Sequence, residues 1–206
     1  MIGLLDYGMG NLSSVSNALD HLGIDNIIVN TPEAFSEISR LIIPGVGSYS
    51  RAMENIISNH YLKEVKDFAA SGKPILGICL GMQLLSFLGT EPSIVKGLEI
   101  IEGEVHLFPD DLNLRIPHVG WNSIELVNEH PILEDVKLRA DFYFVHSYRF
   151  SKAKKKNIIA NTNYGIKFPS IICNDKKNVI GIQFHPEKSQ KQGLKILENF
   201  SKLKHA

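Results

Sequence analysis

The chain has 206 residues, 44% of them hydrophobic and 21% charged, which is enough to bury a core and suits one domain better than two. Lys plus Arg and Asp plus Glu both number 22, a balance that gives no general reason to expect nucleic acid or an anionic membrane as partner.

Strands and helices alternate from the start. Ile2-Gly-Leu-Leu-Asp6 is a short apolar run that reads as a strand, with neither a basic n-region nor a long apolar run. No segment approaches the roughly twenty apolar residues of a membrane span, so a soluble, cytoplasmic protein is expected. Gly8 and Gly10 close that strand. Asn11 stands where it would cap a helix running to Leu22, with Leu12, Val15, Leu19 and Leu22 on one face. Ile27 to Val29 is the next strand, and Thr31-Pro32 caps another helix. Arg40 to Ile43 is a third strand, broken by Pro44-Gly45, and a helical stretch follows around Tyr61 to Ala70. Pro74 to Ile78 is a fourth strand, and Leu80 to Leu88 reads as a helix. The alternation implies a three-layer α/β domain spanning residues 1–206, with a mainly parallel central sheet flanked by helices.

After Gly97 the pattern changes to strands with few helices between them. Glu104 to Phe108, Ser123 to Val127, Phe142 to Phe150, Ile158 to Thr162, Phe168 to Cys173 and Val179 to Phe184 read as strands. The basic run Lys152 to Lys156 reads as a solvated turn between two of them. A final amphipathic helix spans about Ser189 to Lys202, with Leu194, Leu197, Phe200 and Leu203 at helical spacing.

Two cysteines, Cys79 and Cys173, make neither a disulfide framework nor a paired-cysteine zinc site, and a reducing compartment is inferred. Gly77-Ile-Cys79-Leu-Gly81 sits between an apolar strand and a helix and has the form G-x-C-x-G, the cysteine analogue of a nucleophile elbow. Such a turn exposes the sulfur at the carboxyl end of the sheet, where open α/β sheets place their ligands. The helix that follows points its N-terminus at the sulfur and favours the thiolate. The Leu80 amide faces the position of a tetrahedral oxyanion. Cys173, inside an apolar strand, reads as core.

His185-Pro-Glu187 follows the strand Val179 to Phe184, again at a strand end. Pro186 fixes φ and stiffens the turn, setting the direction of both neighbours. His185 is suited to take the thiol proton and later protonate a leaving amine, and Glu187 to hold the imidazole in one tautomer.

At these residues the chain resembles the class I (triad) glutamine amidotransferases, through Gly77-Ile-Cys-Leu-Gly-Met-Gln-Leu-Leu85 and Gly181-Ile-Gln-Phe-His-Pro-Glu-Lys-Ser189. Over nearly its whole length it is most similar to the family of glutaminase subunits of imidazole glycerol phosphate synthase. The motifs are Asp6-Tyr-Gly-Met-Gly-Asn11, Pro44-Gly-Val-Gly47, Gly97 to Gly103, Pro117-His-Val-Gly-Trp-Asn122, Phe142 to Tyr148 and Tyr164-Gly165. The resemblance implies that family's flavodoxin-like α/β fold, a Cys79–His185–Glu187 triad, and no cofactor. It implies that Gln83 contacts the substrate L-glutamine, and that main-chain groups near Ser147 and Tyr148 hold its α-amino and α-carboxylate groups. The loop Gly45, Val46, Gly47 would carry an oxyanion amide held misdirected until a partner signals. Glycines at 45 and 47 make that peptide flip cheap, and Val46 is the residue that resists it. The implied partner is a (β/α)₈-barrel cyclase, forming a heterodimer and receiving the ammonia for histidine biosynthesis. Met9, Gly10 and Asn11, the loop carrying His118, Trp121 and Asn122, and Lys188 are the candidate contacts. Trp121, the single tryptophan, is a large amphipathic ring of the kind that anchors interfaces, with a core position as the alternative.

Two departures stand out. Val119 occupies a position where Met is commoner in that family, and Phe87 to Lys96 is less typical. They leave open a paralogue that supplies ammonia for acetamidino-sugar synthesis. Gly8-Met-Gly10-Asn-Leu-Ser13 resembles a dinucleotide fingerprint, but Ser13 replaces its last glycine and Asn30 stands where an acid is needed. His118, His146 and His185 lack the ligand spacing of a zinc site, so no metal is expected.

Overall fold

The computed structural model describes residues 1–110, 114–137 and 139–205. In chain order the elements are β1 (Ile2–Leu5), α1 (Leu12–His21), β2 (Asn26–Val29), β3 (Arg40–Ile43), α2 (Tyr49–Ser58), α3 (Tyr61–Ala70), β4 (Ile75–Ile78), α4 (Leu80–Leu84), β5 (Leu88–Gly89), β6 (Val95–Lys96), β7 (Glu104–Leu107), β8 (His118–Ser123), β9 (Glu125–Leu126), β10 (Asp141–His146), β11 (Tyr148–Ser151), β12 (Ile158–Tyr164), β13 (Ile166–Cys173), β14 (Val179–Ile182) and α5 (Gln190–Lys202).

β1, β4 and β14 are buried at every position, which is why they read as unbroken apolar runs. Their side chains alternate between two cores. Leu4, Ile42, Leu76, Ile78, Ile180 and Ile182 meet Val15 and Leu19 of α1 and Ile196, Leu197 and Phe200 of α5. Leu5, Leu41, Ile43, Ile75 and Val179 meet α2, α3 and α4 on the other face. The period of two along each strand therefore builds a three-layer α/β fold. Each fully buried Leu, Ile or Phe contributes about 1.5–3 kcal/mol.

The main sheet has the order β2-β1-β3-β4-β14-β13-β12-β9. The first five strands are mutually parallel, in the 2-1-3-4-5 order of flavodoxin-like folds, and β13, β12 and β9 add an antiparallel edge. Two small sheets, β10-β8 and β11-β7-β5-β6, accompany it.

Several local expectations change. The helix α2 adds to the expected elements, with Tyr49, Ala52, Met53 and Ile56 buried at helical spacing. The helix expected after Thr31 is a short 3₁₀ turn, Pro32–Glu37. The helix expected to Leu88 ends at Leu84, because Leu88 and Gly89 leave to pair with Glu104 and Val105. The single strand expected from Phe142 to Phe150 is two. β10 pairs with β8 and β11 with β7, so the chain changes sheets at Ser147. The segment His118 to Asn122, expected as a loop, is a strand held by β10, while the strand expected from Ser123 shortens to Glu125–Leu126.

Candidate active site

β4 and β14 are parallel neighbours in register, Ile78 opposite Ile182, and the Cys79 amide donates to the Ile182 carbonyl at 2.8 Å. That pairing brings residues 79 and 185 to one sheet edge although 106 positions separate them. Cys79 has φ 54 and ψ −108, a strained turn for a non-glycine residue. The glycines on either side permit it by giving space. A Cβ on Gly81 would lie 1.8 Å from the Ile43 carbonyl oxygen, and one on Gly77 would lie 2.5 Å from the Gly81 oxygen. Cys79 is 6% exposed. Its Sγ is 3.8 Å from the Val145 carbonyl oxygen, and Gln183 Nε2 donates toward it at 3.8 Å.

His185 is buried, and its Nδ1 lies 2.8 Å from Glu187 Oε1. A carboxylate can only accept, so Nδ1 carries the proton. His185 Nε2 and Glu187 Oε2 are both buried without a hydrogen-bond partner. Nε2 makes no bond of ordinary length, yet Cys79 is near enough to act on the ring. Burial opposes protonation of His185. The thiol and Glu187, through hydrogen bonding and charge, outweigh it and raise the imidazole to about 10. Ser189 braces the turn: its hydroxyl donates to the His185 carbonyl at 2.6 Å and accepts from the Tyr143 amide at 2.9 Å.

A cavity of about 260 Å³ opens beside Cys79, lined by Val46, Gly47, Leu80, Gln83, Glu91, Pro117, Val145, His146, Ser147 and Tyr148. It is smaller than the roughly 300–1,000 Å³ of drug-sized sites and suits a single amino acid. Gln83 Nε2 donates to the Tyr148 carbonyl at 2.9 Å and to Gln183 Oε1 at 3.2 Å, which leaves its own carbonyl oxygen for a ligand. A larger cavity of about 530 Å³, bordered by Lys66, Glu99, Glu102, Lys154 and Asp175, holds no nucleophile–base pair, and Lys66 pairs there with Glu99 and Lys154 with Glu102.

Every residue expected to bind glutamine therefore meets at one pocket except Gly45, which is buried behind it. There a Cβ would stand 2.3 Å from the Tyr7 hydroxyl, so Gly45 answers a need for space, not for positive φ. Gly47 does adopt positive φ, at +100. The Tyr7 hydroxyl donates to the Pro44 carbonyl at 2.7 Å, and burial pushes its phenol up, so it stays protonated as the donor. Val46 is 45% exposed at the mouth.

Of the contact candidates, Asn11 caps α1 through its side chain, Met9 and Gly10 are partly covered, and Lys188 is exposed. Trp121 is 48% exposed and meets Tyr143 edge-on, so it is not a core residue. His118 corrects the expectation: it is 3% exposed, stacked on Tyr164 and Phe144, with its ring turned inward. Among the described residues, no group of three or more His, Cys, Asp and Glu side chains is arranged to hold a metal ion. No helix among them is long and apolar enough to cross a membrane.

Sequence reasoning passed over Glu91, Gln183 and Ser189 as functional residues. Glu91 puts a carboxylate in the pocket, accepting from the Tyr49 amide at 3.1 Å. It lies in the stretch Phe87 to Lys96, which carries no motif. Gln183 and Ser189 are inside the quoted His185 motif, where their side chains drew no attention beside the histidine.

A family model described as glutamine amidotransferase class-I matches residues 3–203. The chain is 44% identical over 204 residues to imidazole glycerol phosphate synthase subunit HisH 1 of Campylobacter jejuni, covering 98% of this chain and 100% of that one. It is 45% identical over 208 residues to subunit HisH of Sulfurimonas denitrificans, covering 100% and 99%. The fold is also that of a chain in the PurLQS structure from Thermotoga maritima, with a TM-score of 0.77 at 18% identity, covering 97% and 96%.

Proposed function

The chain belongs to the class I glutamine amidotransferases, and within them to the HisH subunits of imidazole glycerol phosphate synthase, and from that membership we propose how its own residues carry out the work. As a glutaminase subunit it hydrolyses glutamine and supplies ammonia to a partner cyclase subunit. The names of its relatives favour the histidine-pathway acceptor over a surface-sugar paralogue. The partner is read as a (β/α)₈ barrel, docked as a heterodimer over the pocket mouth. Free ammonia is mostly protonated in water at neutral pH and is then no nucleophile, so the transfer needs a covered path.

The observation that carries the residue assignment is the buried, unpartnered Nε2 of a Glu-held histidine at the same sheet edge as an elbow cysteine. His185 takes the Cys79 proton at Nε2, and its raised affinity for protons suits a thiolate–imidazolium pair. The sulfur adds to the side-chain carbonyl carbon of glutamine. The resulting oxyanion is met by the Leu80 amide and by an amide of the Gly45–Gly47 loop. As the tetrahedral species collapses, His185 returns the proton to the departing nitrogen, ammonia leaves, and a thioester remains on Cys79. Water, deprotonated by His185, then adds to the thioester, and glutamate leaves as the thiol is restored. Glu187 keeps Nδ1 protonated throughout.

Gln83 and the main chain at Ser147 and Tyr148 hold the amino-acid end of the substrate. Glu91 supplies the negative charge that an α-ammonium group requires. Met9, Gly10, Asn11, Trp121, Asn122 and Lys188 are the proposed contacts with the cyclase. The test is glutamate release by the purified chain alone, with the cyclase, and with the cyclase and its nucleotide substrate. Strong stimulation by the complete mixture is expected. Full activity in the isolated chain, unchanged by the partner, would remove the loop from any switching role.

A further inference from the structure

β8 and β10 place His118 directly opposite His146. Neither ring does chemistry in the mechanism above, yet both are buried and joined in a line of hydrogen bonds. Asn122 Nδ2 lies 3.4 Å from His118 Nε2, His118 Nδ1 lies 3.0 Å from His146 Nε2, and His146 Nδ1 lies 2.8 Å from the Tyr148 carbonyl oxygen. Both ends of the line fix its direction. The Tyr148 carbonyl can only accept, so His146 Nδ1 donates. Asn122 Oδ1 accepts from the Ser123 amide while Nδ2 donates to the Asn163 carbonyl, so Nδ2 is also the donor toward His118. One consistent assignment remains: both imidazoles are neutral and both carry their proton on Nδ1. A second proton on either ring would set N–H against N–H.

The surroundings hold the rings in that state. His118 stacks on Tyr164 with centroids 3.9 Å apart, and Phe108 packs against His146 at 5.4 Å. Burial lowers His118 to about 4. Burial, the largest influence, lowers His146 to about 3 against the raising effect of the Tyr148 carbonyl.

The line ends inside the pocket. The same Tyr148 carbonyl accepts from Gln83, and Gln83 leads through Gln183 to the Cys79 sulfur. We propose that His118 and His146 are paired positioning residues, whose one-way hydrogen-bond line from Asn122 on β8 fixes the Tyr148 carbonyl and Gln83 for glutamine. The strand that presents Trp121 outward is thereby part of the frame of the substrate pocket. The proposal rests on the glutaminase reading only for its kinetic consequences.

Two measurements test it. Nitrogen-15 NMR of the imidazole rings in the full chain at neutral pH should report the Nδ1–H tautomer for both residues, not the Nε2–H form that free histidine prefers. An Nε2–H signal from either ring overturns the proposal whether or not the chain hydrolyses glutamine. In the complex with the cyclase, His146→Phe keeps a ring but loses the bonds. It should raise KM for glutamine roughly three- to tenfold, with a smaller change in kcat. His146→Asn, which retains a donor at the Nδ1 position, should recover part of the loss. Asn122→Ala, outside the pocket lining, should shift KM in the same direction by less. An unchanged KM in His146→Phe overturns the positioning role and leaves the pair as packing. A wild-type complex that does not hydrolyse glutamine would sink the functional reading instead, and the tautomers would then decide this one alone.

Discussion

Cys79, His185 and Glu187 stand at the ends of β4 and β14, strands buried at every position, and their side chains are almost wholly covered. The loop from Pro44 to Gly47 borders the same pocket but is built otherwise. Val46 is 45% exposed, Gly47 has φ +100, and one hydroxyl, that of Tyr7, ties the loop down at Pro44. The nucleophile–base unit is thus assembled by the core of the fold. The proposed oxyanion side hangs from a loop that is packed tightly at Gly45 and opens to solvent at Val46 and Gly47. A site divided in this way can keep its chemistry ready and still wait for a signal.

The largest effects should come from the rigid half. Cys79→Ser should lower kcat by on the order of 10⁵–10⁶ with the fold retained, since the members of such a unit act together. His185→Ala should cost a similar amount. Glu187→Gln should cost less, roughly 10⁴, because an orienting group transfers no proton. Steady-state glutamate release measures all three. A Glu187→Gln defect greater than that of His185→Ala would reverse the roles assigned here.

The loop half should respond more weakly and only when the partner is present. Val46→Pro removes the Val46 amide at an exposed position, so little packing is lost. If that amide is the one redirected, partner-stimulated kcat should fall about 10²–10³ while the unstimulated rate changes little. Stimulation that survives intact in this variant would assign the donor elsewhere in the loop.

Much of the contrast was legible in the sequence. Buried strands need unbroken apolar runs, and the elbow needs its two glycines, so β4, β14 and the positions of Cys79 and His185 could be read directly. What could not be read depends on pairing partners. Phe142 to Phe150 looks like one strand because its alternation never breaks, but β8 claims the first part and β7 the second. His118 to Asn122 looks like a loop because Pro117 and Gly120 interrupt it, yet β10 supplies the ladder. Helix α2 does carry a signal in the sequence, Tyr49, Ala52, Met53 and Ile56 at helical spacing. Glu91 had none: its place in the pocket follows from packing against the start of α2.

His185 offers a test of the rigid half that does not depend on turnover. Its affinity for protons is raised mainly by Cys79 and then by Glu187, against burial. A raised folded-state value stabilises the protein fully below the unfolded value near 6.5, and that stabilisation is lost as pH rises toward about 10. Cys79→Ala removes the larger of the raising influences. NMR titration of His185 should therefore move downward in the variant, and the loss of stability should begin at lower pH. An unmoved titration would mean that Cys79 and His185 do not interact in the resting protein.

The smallest effect on activity is expected from the other cysteine, and it isolates what position contributes. Cys173 lies on β13 opposite Ile180 of β14, 2% exposed, and burial pushes its thiol up. It has no strained φ, no flanking glycine and no histidine beside it in the chain. Cys173→Ser puts a hydroxyl into an apolar site, which costs about 1–3 kcal/mol if the group finds no partner. At roughly 2–4 °C per kcal/mol for a chain of this size, the melting temperature should fall by several degrees. Glutamate release below that temperature should stay within about twofold of wild type. The same substitution at Cys79 should abolish the rate. A large rate defect in Cys173→Ser, measured well below its melting temperature, would break the division between a chemical and a structural cysteine.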